Sequence, residues 1–262
     1  MEINLTAPTS WATLNEQQVV YVARVLSQQP TKEELLMRCL LKFTGLHPIP
    51  VTRLMRKMAA RINRPIPFLC RYKRKEISLS AEQIHSFCRQ LEYLTEAPGL
   101  MACPSRLAGL YSPDAQLWNV TFEAYLMADR NYRAYSQTKN AKFLYDMIGV
   151  LWRKQGVPYS DALVAKNARR IRRGANKDEC DAVFLWFTGV KLWLKDKYPD
   201  LFSGEDTDTD TDESDKIMNM LHAVAEGKAH ENKAVFQTPV HEILHSLNIK
   251  AKQINEFNTK HK

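Results

Sequence analysis

Helix-capping patterns recur along this chain and constrain its fold more than any other feature. In a capping box, a hydroxyl side chain and an acidic or amide side chain three residues later satisfy backbone N–H groups that the first helical turn leaves unpaired. Only 9 of the 262 residues are glycine, which argues against a dinucleotide-binding fold or a β-sandwich. We therefore predict an all-α fold, mainly a helical bundle. The capping pairs precede apolar residues at helical spacing and are Thr13 with Glu16, Thr31 with Glu34, and Ser80 with Gln83.

Prolines and glycines set the bounds of the expected helices. Pro113, at a first helical position, starts a long helix, and Gly156 stops the helix after it. The run at 182–187 is apolar on every side and predicts a central buried helix. The aromatic stripe of the long helix consists of Trp118, Phe122, Tyr125 and Tyr132. The expected helices cover about residues 13–29, 31–45, 51–63 and 80–94, begin at 112 and near 144, cover 160–174, 176–199 and 215–226, and begin again at 238.

One small β-hairpin is expected near residues 68–79. The segments 68–72 and 76–79 alternate roughly between apolar and polar side chains, as strands with one buried face do. They flank the basic tripeptide at 73–75, which supplies the turn. Pro65 and Pro67 come directly before the first segment and interrupt the preceding helix.

An acidic run divides the chain. Residues 203–215 hold seven Asp and Glu and no Lys or Arg, and their composition leaves no apolar surface with which to fold. We therefore predict three parts: a helical main body at 1–200, an acidic linker at 201–214 and a C-terminal helical segment at 215–262. The run Asp206-x-Asp208-x-Asp210 is similar to a calcium loop, but Thr211 stands where the loop requires glycine.

The sequence predicts a cytoplasmic protein. No run of about 18 apolar residues is present, so we expect no membrane span. The first residues have neither the basic nor the apolar part of a secretion signal. The five cysteines are odd in number and widely spaced, which argues against a disulfide framework and against a thiolate zinc site.

A basic region is the main candidate binding surface. The formal net charge is +8, and residues 42–75 hold ten Lys and Arg with no Asp or Glu. Such a region attracts a polyanion or an acidic protein surface, and Tyr72 would add an aromatic ring on which a base can stack. The arginines at 169–173 would extend the surface. The candidate residues are Arg53, Arg56, Lys57, Arg61, Arg71, Tyr72, Lys73, Arg74 and Lys75.

One catalytic motif is present, His241-Glu242-x-x-His245. On a helix the two imidazoles lie one turn apart and can bind one Zn²⁺, with Glu242 as general base. A catalytic zinc site needs a third protein ligand, and Glu256 is the only candidate that follows closely. The alternative is an amphipathic helix whose apolar residues pack inward: Val240, Ile243, Leu244 and Leu247. We favour that alternative. We expect no catalytic centre and no cofactor, since no Gly-rich phosphate loop or nucleophile elbow occurs either.

Several segments in order resemble helical proteins of phages and prophages of gut anaerobes, encoded among tail genes. The segments are SWATLNEQQ at 10–18, ISLSAEQ at 77–83, FEAY at 122–125, YRAY at 132–135 and VHEIL at 240–244. The resemblance implies a non-enzymatic structural or interaction protein, such as a tail-assembly chaperone, with phage structural proteins as partners. It carries over no functional residues. The alternatives are a nucleic-acid-binding protein that uses residues 42–75 and, third, a zinc hydrolase that uses His241, Glu242 and His245.

Overall fold

The computed structural model describes residues 6–50, 52, 68–202 and 234–260, and within them the protein is mainly helical. The prediction of an all-α fold with a small hairpin is confirmed. Among the described helices, none combines the length and the apolar composition needed to cross a membrane. The helices are α1 (Glu16–Leu26), α2 (Lys32–Thr44), α3 (Ala81–Gln90), α4 (Phe122–Thr138), α5 (Ala141–Leu151), α6 (Asp161–Gly174), α7 (Lys177–Lys197), α8 (Pro199–Phe202) and α9 (Val240–Lys260). The strands are β1 (Leu46–Pro48), β2 (Phe68–Tyr72), β3 (Lys75–Leu79), β4 (Arg106–Leu107) and β5 (Leu110–Tyr111).

Local capping explains most helix starts. The capping boxes predicted at Thr31 and Ser80 form and open α2 and α3. The box predicted at Thr13 is wrong, because Asn15 caps α1 by accepting from the Gln18 N–H at 3.0 Å. The Thr13 hydroxyl instead donates to the Ser10 carbonyl, 2.8 Å away, within a short 3₁₀ helix.

The long helix expected from residue 112 begins ten residues later. Helix α4 starts after Thr121, whose hydroxyl accepts from the Ala124 N–H. The preceding backbone is held elsewhere, because Val120 accepts from the Val240 N–H and Phe122 donates to the Thr238 carbonyl, each at 2.9 Å. Trp118, a predicted member of the aromatic stripe, therefore lies before helix α4, and its side chain is 51% exposed.

Helix α5 ends at Leu151, before the Gly156 stop that the sequence suggests. Beyond the helix, the Arg153 backbone pairs with Tyr111 through two N–H···O bonds of 2.8 and 3.0 Å. This pairing fixes the loop after α5 beside the β4–β5 hairpin.

The predicted hairpin forms between β2 and β3, with Tyr72 opposite Lys75, so that Lys73 and Arg74 make the turn. Strand β1 adds to β2 as a third antiparallel strand, which the sequence analysis did not identify. The sheet packs mainly on α2 and buries a small cluster of its own around Leu46, Cys70 and Leu79.

Helix α7 lies at the centre of the main core, as its all-round apolar run predicts. Trp186 and Phe187 are fully buried, and the Trp186 ring meets the Trp152 ring edge-on at 5.5 Å between centroids. The first half of α9 contributes to the same core through Val240, Leu244 and Leu247.

The predicted division into a main body, a linker and a C-terminal segment remains a prediction. The acidic run and the helices expected at 51–63 and 215–226 lie outside the described residues. The described part of the C-terminal segment, residues 234–260, shares the core of the main body.

Helices α5 and α6 approach closely at Gly149. A Cβ at this position would lie 2.9 Å from both the Ala168 nitrogen and the Val164 carbonyl oxygen. The Asn167 amide also donates to the Gly149 carbonyl at 3.1 Å and to the Trp152 carbonyl at 3.3 Å. The contact holds the inner face of α6 against α5, so the opposite face of α6 is presented outward.

Candidate functional site

The zinc motif lies at the start of α9, and its first histidine is part of the fold. His241 is only 4% exposed. Its Nε2 lies 2.6 Å from the Gln116 carbonyl oxygen, and its Nδ1 lies 2.8 Å from the Tyr198 hydroxyl. Because a carbonyl only accepts, Nε2 carries the proton and Nδ1 accepts from Tyr198. The ring therefore joins α9 to the residue that follows α7 and to the loop before α4.

This geometry opposes the zinc hypothesis. A zinc ligand needs a free ring nitrogen, and both nitrogens of His241 already have hydrogen-bond partners. Glu242 and His245 are exposed on the outer side of α9. Within the described ranges, no three His, Cys, Asp or Glu side chains cluster in a way that could hold a metal ion. The inward-packing alternative fits the burial of Val240, Leu244 and Leu247.

Burial also affects the thiols, which are the other nucleophiles of the core. Burial raises the pKa of the Cys39 and Cys180 thiols to about 12, and that of Cys103 to about 11. The thiolate is the reactive form, so these three side chains are poor nucleophiles at neutral pH.

The tip of the β2–β3 hairpin is less available than the sequence suggests. Arg71 pairs with Glu76, with 3.4 Å between Nη2 and Oε1. Tyr72 packs against the small cluster of the sheet, and the Lys73 ammonium lies 5.3 Å from the centre of its ring. Arg74 and Lys75 are exposed. Because its ring packs against this cluster, Tyr72 is less open to a base than the exposed residues of the turn. The other predicted residues, Arg53, Arg56, Lys57 and Arg61, lie outside the described part of the chain.

A second basic surface stands out on α6. Residues 162–177 hold six Lys and Arg and no Asp or Glu. The side chains at helical spacing i, i+3, i+4 and i+7 line a groove of about 600 Å³ between α6 and the turn of the β4–β5 hairpin. We call this the α6 groove. Its cationic residues are Lys166, Arg169, Arg170 and Arg173, with Ala108 and Gly174 completing the lining.

The hairpin turn fixes one of these cations. The Arg170 Nε donates to the Ala108 carbonyl, 2.6 Å away. Gly109 has φ +73°, which glycine adopts at little cost, and a Cβ there would lie 2.6 Å from the Arg170 Nη2. The turn therefore holds the Arg170 guanidinium at the groove. The terminal nitrogens of Arg170 lie beside Gly109, which has no side chain.

The charge of the groove is not balanced locally. No acidic residue lines it, and among the described residues none of the ion pairs involves its four cations. Arg169, Arg170 and Arg173 are exposed, so their remaining N–H groups face solvent. Exposed guanidinium groups in this density suit phosphate or carboxylate oxygens, which they bind with two parallel hydrogen bonds.

Sequence reasoning identified this surface only in part. The arginines at 169–173 were expected to extend the basic region at 42–75. For the described part of that region, α6 packs mainly against α5, whereas the hairpin sheet packs against α2. Lys166 and the β4–β5 hairpin were missed. The spacing of Lys166, Arg169, Arg170 and Arg173 was the available signal, since it places four cations on one face of a helix.

The chain matches no protein-family model, and neither a curated protein nor a solved structure matches it.

Proposed function

We propose that this protein binds a polyanion, the phosphate backbone of a nucleic acid, in the α6 groove. One observation carries the proposal: four cations at helical spacing line the groove without a carboxylate among them. Nucleic-acid binding was the second hypothesis drawn from the sequence, which assigned it to residues 42–75. We now assign it to α6. Phosphate oxygens would replace the water that now solvates the guanidinium groups.

The positions of the cations suit a repeating anion. Seven residues separate Lys166 from Arg173, which corresponds to about 10 Å along a helix. A chain of phosphates that crosses the groove would therefore contact more than one cation at once. Each neutralised phosphate releases condensed counterions, so the affinity falls steeply as salt rises.

The test is a salt titration of oligonucleotide binding, measured by fluorescence anisotropy. The groove variant carries Arg169→Ala and Arg173→Ala. The control variant carries Arg89→Ala and Lys250→Ala, two exposed cations on α3 and α9, and so loses the same net charge. We expect the groove variant to bind more weakly, with a slope of log K against log salt that is lower by about one for each lost phosphate contact.

Equal losses of affinity in the groove and control variants would show that only net charge matters, and would contradict the proposal. A wild-type Kd of about 10⁻⁴ M or weaker at physiological salt, which is the weak limit of nonspecific association, would contradict it as well.

We also propose a protein partner, which was the first sequence hypothesis. The observation that favours it is the outer end of α9, where Ile249 is 45% and Ile254 is 54% exposed. Exposed aliphatic side chains on one helix suit a protein surface. The resemblance would make this partner a structural component of a phage-type particle.

A pull-down from native host cells tests the second proposal. The variant Ile249→Asp with Ile254→Asp should lose a specific co-purifying protein that the groove variant retains. Retention of the same protein by the aspartate variant would rule out this end of α9 as the docking surface.

A further inference from the structure

We propose that the nucleic acid bound in the α6 groove is single-stranded, and that Arg106 and Tyr111 form the platform on which one of its bases stacks. This inference rests on the proposed function and names the ligand class of that site. It is drawn from the β4–β5 hairpin, whose turn forms one wall of the groove.

The hairpin separates an apolar face from a polar face. Leu107 and Leu110 are opposite each other and almost fully buried. The neighbouring pair, Arg106 and Tyr111, is exposed. Because successive strand residues point to opposite faces, burial of the leucine pair directs the Arg106–Tyr111 pair outward.

Arg106 and Tyr111 pack against each other as one exposed pair. The Arg106 guanidinium carbon lies 4.6 Å from the centre of the Tyr111 ring, and its Nη2 donates to the Tyr111 hydroxyl at 2.6 Å. Tyr111 remains 38% exposed, which is large for an aromatic side chain held on both its edge and its face. Nucleic-acid bases stack on tyrosine rings and on guanidinium planes alike.

The platform is close to the phosphate-binding cations. The platform pair is adjacent to the leucine pair, and the turn that holds Arg170 follows directly. Arg106 is two residues from Ala108, and at about 3.3 Å per strand residue the platform lies roughly 7 Å along the hairpin from the turn. A backbone held in the groove can therefore place a nearby base on the platform without bridging another part of the molecule.

Cations continue on the far side of Tyr111. A second groove of about 380 Å³ is lined by Tyr111, Arg153, Lys154 and Gln155, and no acidic residue lines it. The Arg153 backbone pairs with Tyr111, so this groove is fixed relative to the platform. Both basic grooves therefore border the hairpin, one at its turn and one at Tyr111, and a strand that follows the hairpin would meet the cations of both.

The platform decides between single and double strands. In a duplex each base is already stacked between its neighbours and its faces are not available to a side chain. A duplex would use only the cations, whereas a single strand would use the cations and the ring. Stacking on an aromatic side chain is sequence-tolerant, so we expect little preference among base sequences.

The test compares three probes with one set of variants. The probes are a single-stranded DNA or RNA oligonucleotide, a duplex of the same sequence and heparin, a polyanion without bases. We expect Tyr111→Ala to weaken binding of the single strands by about 10-fold or more, which follows from the usual loss per stacked base. Its affinity for heparin and for the duplex should stay within about 2-fold of the wild type. Tyr111→Phe keeps the ring and should keep the affinity.

Tyr111→Leu guards against loss of structure, since it retains apolar bulk and the backbone pairing with Arg153 while removing the ring. It should behave like the alanine variant. The inference is overturned if both ring-less variants bind single strands as the wild type does, while the groove variant loses affinity for all three probes. In that outcome the proposed function survives. If the wild type binds none of the three probes, the proposed function fails, and the inference with it.

Discussion

His241 shows how a single residue can match a catalytic motif and serve the fold. The sequence placed it correctly on the first turn of a C-terminal helix, together with the inward-facing Val240 and Leu244. It did not show what the ring contacts, because the Gln116 carbonyl lies 125 positions earlier in the chain. Hydrogen bonds between residues so distant leave no pattern in a local window, so the motif could not be resolved from sequence alone.

The state of His241 predicts a pH dependence of stability. Burial lowers the pKa of the ring below its usual 6.5, and the nearby Lys197 acts in the same direction, while the bond to Gln116 opposes both. The unfolded chain therefore binds more protons than the folded chain once the pH falls to about 6.5 and below. The contribution of His241 to the free energy of unfolding is complete above that pH and is lost as the pH falls through the lowered pKa.

We expect the free energy of unfolding, measured by urea titration, to fall between pH 7 and pH 5. His241→Gln, which cannot titrate, should reduce that fall. A variant with the full pH dependence of the wild type would show that other groups cause it.

The pair of helices α5 and α6 is the element on which the candidate site depends. The apolar face of α5 and the end of α6 near Gly174 were predictable, because they follow from neighbouring residues. The start of α4 and the strand β1 were not predictable, because both are determined by partners distant in sequence, namely Thr238 and the segment at 70–72. The second wall of the α6 groove was missed for the same reason, since it is a hairpin turn some 60 positions before α6.

Gly149→Ala is expected to destabilise the protein by about 1–3 kcal/mol or more, because the added methyl group meets backbone atoms of α6 that cannot rotate away. Gly156→Ala is a matched control: nothing lies within 4 Å of its added Cβ, but its φ of +72° disfavours alanine. That strain alone should cost about 1 kcal/mol or slightly more. Equal midpoints of chemical unfolding for the two variants would contradict close packing at Gly149. Oligonucleotide binding should also be weaker in Gly149→Ala than in Gly156→Ala, since the displaced helix α6 carries the groove.

The whole molecule carries charge of two kinds, a net excess of cations and one concentrated acidic run. The sequence alone showed the acidic run and the excess of cations elsewhere, because both are matters of composition. It also identified the helical class, because that depends on local periodicity. It did not reveal which cations act together. That required the packing of α6 beside the β4–β5 hairpin, where four cations face one groove.

Neutralising the acidic run should strengthen polyanion binding. Replacement of its seven Asp and Glu by Asn and Gln raises the formal net charge by seven from +8. We expect tighter oligonucleotide binding at low salt, and a difference from the wild type that shrinks as ionic strength rises, since screening removes long-range repulsion. The measurement is anisotropy at about 50 and 200 mM salt. Unchanged affinity at the lower salt would show that the run exerts no influence on the bound ligand.

The pairing of Val120 and Phe122 with residues 238–240 has a consequence for synthesis of the chain. Phe122 is fully buried and its ring faces Phe236, with 6.3 Å between centroids. Contacts across more than a hundred residues carry a loop-closure penalty that only the completed partner repays. Until residue 240 has left the ribosome, the backbone at the start of α4 lacks these partners and the Phe122 ring lacks its contact with Phe236. Every nascent chain therefore passes through a stage in which most of the described helices have been synthesised but this side of the core is open to water.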